Sequence, residues 1–146
     1  MPKLSDVLTD PSKKSAVIAD CCTLIDEEVA DKGGLSGLAV KAGYAAVKGI
    51  KPGFIRDAVT NLLPDFATAL DPLYEEAIAK GKPVGAHLHA ESARAADALL
   101  AITDGRAKKS DKGLVRGTYE RLRPTAKKNV EAAIPRLSRL IERHTK

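Results

Sequence analysis

Tryptophan is absent from this chain of 146 residues, and only three tyrosines and two phenylalanines are present. An interior without large rings has to be filled with Ala, Leu, Val and Ile. Such small side chains let helix axes approach closely, and alanine has the highest intrinsic helix propensity. Cysteine is nearly absent too. Cys21 and Cys22 are adjacent, and neighbouring cysteines rarely pair, which argues against a disulfide framework and for a reducing cytoplasm. No run approaches the ~18 uninterrupted apolar residues needed to span a bilayer. Met1 to Asp10 lack the basic and then apolar order of a signal peptide. No β-branched run alternates with period two, and there is no internal repeat or low-complexity linker. A sheet, a solenoid and a membrane span are thereby excluded as expectations.

What is present suits one all-α domain spanning residues 1–146, with a short N-terminal segment 1–10. A chain of this length buries roughly 70% of its unfolded surface and needs no covalent staple. Charge is unevenly spread. From Gly105 to Lys146 there are 13 Lys and Arg against 4 Asp and Glu, a net +9, while the rest of the chain is −4. The body is mildly acidic and the C-terminal region 105–146 is basic.

Apolar spacing predicts about six or seven helices. Residues 3–9 suit one helical turn. Asp10 reads as an N-cap with Pro11 at the first helical position. The helix that follows, to about Lys32, carries Val17, Ile18, Cys21, Cys22, Leu24, Ile25 and Val29 in one stripe. Gly33-Gly34 stops it. The next helix, Leu35 to Gly49, has an apolar arc of Leu35, Leu38, Ala39, Ala42, Gly43, Ala46, Val47 and Ile50, with Lys41, Tyr44 and Lys48 opposite. A helix from Phe54 to Leu63 follows the turn at Lys51-Pro52-Gly53. Pro64 starts a turn or a kinked continuation to Lys80, and Pro72 restarts the helix with Asp71 as cap. Gly81-Lys82-Pro83 breaks the chain before a helix over Val84–Thr103. Asp104–Lys109 reads as loop. Ser110 caps a last region reaching His144, divided at Pro124 and kinked at Pro135.

Two stretches carry a family likeness: GGLSGLAVKAGYAAVKGIKPGFIRDAVTNLLPDFATALDPLYEEA from Gly33 to Ala77, and TYERLRPTAKKNVEAAIPRL from Thr118 to Leu137. Together, over a little under half the chain, they resemble a family of small uncharacterised bacterial helical proteins, a domain of unknown function. The resemblance implies an all-α fold and a bacterial cytoplasmic setting. It implies no activity, cofactor or catalytic residue.

Few residues suggest chemistry. His87 and His89 point about 200° apart on a helix and do not share an ion there, so no metal is expected. His87, Glu91 and Arg94 share one flank at spacings of four and three. A half-buried carboxylate between an imidazole and a guanidinium is a candidate for proton transfer or small-molecule binding. The structural alternative is an ion pair tethering this helix. No nucleophile or glycine-rich loop accompanies the three. Cys21 and Cys22 sit on an apolar face near Asp20 and Asp26, which raises a thiol pKa and favours packing over redox work.

The basic region is a candidate polyanion surface. Arg106, Lys108, Lys109 and Lys112 lie on or beside the expected loop. Arg116, Arg123 and Lys127 follow at helical spacing, and Arg136, Arg139 and Arg143 form another stripe. Phosphates would be held there in a salt-dependent way. The alternative is a solubilising surface that neutralises the acidic body of the same molecule. No helix-turn-helix pattern or aromatic platform supports nucleic acid. The Ala/Gly-rich helix 35–49 allows close helix contact across a homodimer. The leading expectation is therefore a non-enzymatic protein acting through interaction or self-association.

Overall fold

The computed structural model describes residues 3–110 and 113–145, with the side chains of all of these except Leu35 and Ser36. Lys112, one of the basic residues singled out above, lies outside the described residues. Seven helices form a compact array: α1 (Leu4–Leu8), α2 (Lys14–Asp31), α3 (Gly34–Lys48), α4 (Phe54–Ala79), α5 (Val84–Ala90), α6 (Ser92–Lys109) and α7 (Gly113–Thr145). No strand occurs among the described residues.

The helix ends show how local chemistry and tertiary contacts divide the work. Asp10 accepts the Ser12 N–H at 2.9 Å, yet regular helix begins at Lys14. Pro11 therefore sits in the turn before α2 and not at its first helical position. Asp71 does not cap its own helix. It lies buried inside α4 and accepts the Ser5 N–H and hydroxyl, both at 2.9 Å. A carboxylate from mid-α4 thus satisfies an orphan donor in the first turn of α1, where the helix dipole favours negative charge. At the end of α4, Gly81 adopts φ +66. Its N–H bonds the Ile78 carbonyl and that of Lys82 bonds Ala77. This left-handed turn closes the helix and reverses the chain.

Prolines do not interrupt the helices as expected. Pro64 and Pro72 lie inside α4, and Pro124 and Pro135 inside α7. Pro64, Pro72 and Pro124 are exposed. The carbonyl that each ring frees one turn earlier lies on the solvent side, where water satisfies it. The opposite side of α4 is held by Ala67, Leu70, Leu73 and Tyr74, all buried. The break falls elsewhere. The expected helix over Val84–Thr103 divides at Glu91, with φ −106 and ψ 33, and α6 then continues to Lys109. The stretch Asp104–Lys109 is helix, not loop.

Helix α3 is oriented differently from the expected arc. Val40, Gly43, Tyr44 and Val47 face the molecule, while Leu38, Ala39, Ala42 and Ala46 are exposed. Gly43 lets α3 approach α7: a Cβ there would lie 3.0 Å from Thr118 Cγ2 and 3.1 Å from Leu122 Cδ1.

One buried cluster joins α1, α2, α4, α5, α6 and α7, including Leu4, Leu8, Val17, Leu63, Leu88, Ile134 and Ile141. Aliphatic side chains do not fill all of it. A space of about 250 Å³ remains at the centre, bounded by α1, α2, α4, α6 and α7, and Phe66 is the one aromatic residue on its wall. At ~24 cal/mol per Å³, a void of that size would cost on the order of 6 kcal/mol if nothing filled it. That rivals the whole stability of a typical domain.

Candidate functional site

The turn at Gly81–Pro83 folds α5 back beside the end of α4, so residues equidistant from it meet. Glu76 and His87 are such a pair. His87 Nε2 lies 3.1 Å from Glu76 Oε1, and His87 is only 3% exposed. Arg94, from α6, closes a fork on the same carboxylate. Its Nη1 donates to Oε1 at 3.1 Å and its Nη2 to Oε2 at 2.8 Å. The centre of the cluster is therefore Glu76 and not Glu91, which stands 3.7 Å from Arg94. Arg94, and then His87, hold the Glu76 carboxyl down at about 2. Such a carboxylate is a saturated acceptor, poorly suited to taking up a proton near neutral pH. It joins α4, α5 and α6. His89 is exposed, away from this knot.

The basic C-terminal residues meet acids of the same chain. Arg106 pairs with Asp65 of α4 and Lys127 with Asp97 of α6. Arg136 grips both Glu28 and Asp31 of α2. Arg143 donates to Asp20 at 3.0 Å, and His144 Nε2 lies 2.6 Å from the same oxygen. Arg116 donates to the Ser110 carbonyl. Lys108, Lys109 and Arg139 are exposed. Arg139 lines a surface cleft with Arg136, Arg143, Asp20 and Glu27.

A further polar knot arises where α6 extends through the expected loop. Arg123 Nε donates to Asp104 Oδ1 at 2.8 Å and Nη2 to Oδ2 at 3.1 Å. Tyr119 donates to the same carboxylate, and its hydroxyl lies 2.8 Å from Thr103 Oγ1. Arg123 and Tyr119 hold the Asp104 carboxyl below the usual range. The sequence reading missed this group because it placed Asp104 in a loop.

Neither cysteine is disulfide-bonded. Burial, with Cys22 and Asp20 beside it, pushes the Cys21 thiol up to about 12, so it is protonated and a poor nucleophile at neutral pH.

The remaining feature is the outer face of α3. Leu38 is 63% exposed, and Ala39, Ala42, Ala45, Ala46 and Gly49 are exposed around it. Tyr44, on the opposite flank, donates to Asp26 of α2 and has Lys48 5.1 Å over its ring. These contacts fix which way α3 faces.

A family model described as a family of unknown function, DUF6918, matches residues 4–145. No curated protein and no solved structure matches the chain. No helix among the described residues is long and apolar enough to cross a membrane.

Proposed function

We propose that this chain, which belongs to that family of unknown function, is a non-enzymatic helical protein that works by association, docking a second copy of itself on the outward face of α3. The observation behind this reading is the strip Leu38, Ala39, Ala42, Ala45 and Ala46, exposed and without a charged side chain. Small residues let two such helices pack at short interaxial distance. An uncharged strip is also compatible with its own copy, as a two-fold interface requires.

The strip is small. A 15-residue helix is ~22 Å long and about 10 Å wide, which offers on the order of 200 Å². Stable interfaces bury about 800 Å² per partner. The association is therefore weak and concentration-dependent. The ion pairs of Arg106, Lys127, Arg136 and Arg143 with acids of the same chain support a stabilising role for the basic third over polyanion binding. The saturated Glu76 carboxylate supports the non-enzymatic reading, and two free thiols suit a reducing cytoplasm.

Light scattering from micromolar to millimolar protein tests the proposal. The wild-type mass should climb toward that of a dimer. Ala42→Glu, at an exposed position, should stay monomeric with an unchanged circular dichroism spectrum. A wild-type chain that remains monomeric at millimolar concentration overturns the reading.

A further inference from the structure

The space enclosed at the centre of the array is bounded by hydrocarbon on every side. Its volume is about 250 Å³, and no nitrogen or oxygen faces into it. Val17, Leu63, Leu100, Ile134 and Ile141 on its wall are each 5% exposed or less. Water needs two to four polar partners to settle in a cavity, and none is offered here. A charged group would lose its hydration without compensation. Only an apolar occupant suits the wall. A cavity of roughly 150 Å³ lined by Leu, Ile and Phe holds benzene. By that ratio, ~250 Å³ suits about ten carbons.

The geometry also offers an entrance. Leu24 of α2 and Leu140 of α7 line both this space and the surface cleft that contains Arg139. At that point one layer of side chains separates the interior from solvent. We propose that the cavity is a binding site for hydrocarbon, an alkyl or alkylbenzene group of about ten carbons, admitted between α2 and α7 past Leu24 and Leu140. The site is independent of the α3 face and does not rest on self-association.

Two probes separate a free hydrocarbon from a chain bearing an acid head: n-butylbenzene and decanoate, each added to the full chain. Thermal melts and methyl NMR spectra supply the readouts. A saturable rise in Tm of several degrees with either probe, with shifted Leu63 and Ile134 methyl signals, supports the site. A response to decanoate that Arg139→Gln weakens assigns the cleft to the head group; a response to n-butylbenzene alone assigns the cavity to free hydrocarbon. Ala67→Leu and Ala133→Leu each place extra carbon in the space. In whichever folds, Tm without probe should rise and the probe response should disappear. Unmoved Tm and methyl signals in the folded wild type overturn the proposal. So does a filled variant that loses stability yet responds to the probes as before.

Discussion

Glu76 shows how much one side chain decides here. Its carboxylate receives two guanidinium bonds and faces His87, with Glu91 on the far side of Arg94. Its folded pKa lies at about 2 against an ordinary 4.5. A depressed carboxylate adds stability that is present above 4.5 and is lost as pH falls through about 2. Glu76→Gln should therefore unfold more readily than the wild type at neutral pH. The gap between their denaturation midpoints should close as pH is lowered through that window. A constant gap would mean that the charge of Glu76 contributes nothing. Ser138 is a contrasting residue: its hydroxyl is buried without a hydrogen-bond partner among the described residues, so its polarity adds nothing to the packing of α7.

Among the elements, the α2–α3 junction depends on a glycine that propensity alone would disfavour. A Cβ at Gly37 would lie 2.7 Å from the Lys32 carbonyl carbon and 2.9 Å from its oxygen. Both are backbone atoms and cannot swing aside. Gly37→Ala should cost about 1–3 kcal/mol in urea denaturation. Gly105, inside α6, has nothing within 4 Å of the same added atom. Gly105→Ala should instead stabilise by about 0.5–1 kcal/mol. Opposite signs for one chemical change would show that close approach, not helix propensity, makes Gly37 necessary. The prolines of α4 and α7 follow the same logic, since their place on the solvent side decides that they are tolerated.

Across the whole molecule, the charge asymmetry becomes an internal clasp. The basic α7 lies against the acidic α2, with Arg136 on Glu28 and Asp31, and Arg143 on Asp20. Arg136→Gln leaves Glu28, whose side chain is 12% exposed, with Lys32 as its remaining cationic partner. That variant should melt at lower temperature than the wild type. The deficit should shrink in molar salt, where exposed pairs are screened, and melts at low and high salt measure both effects. The scarcity of aromatic rings also acts at this scale, because Ala, Val and Leu alone leave the central space open.

The amino-acid sequence by itself determined the all-helical class, the inward stripe of α2, much of the buried side of α7, the turn at Gly81–Pro83 and the charge polarity. Each follows from contacts within a few residues or from composition, which chain order records directly. It did not determine the facing of α3. That helix is apolar or small on both sides, with Leu38, Ala42 and Ala46 on one and Val40, Gly43 and Val47 on the other, so periodicity had no basis for choosing. Tyr44 meeting Asp26, and Gly43 meeting Thr118 and Leu122, made the choice across the chain. Glu76 was legible only through the symmetry of the turn that brings it to His87; its bond to Arg94 needed α6 in place. Tertiary structure alone decided that Asp71 caps α1, that prolines sit within continuous helices and that the core encloses a cavity. Each of these depends on what lies opposite a residue in space, which local spacing does not encode.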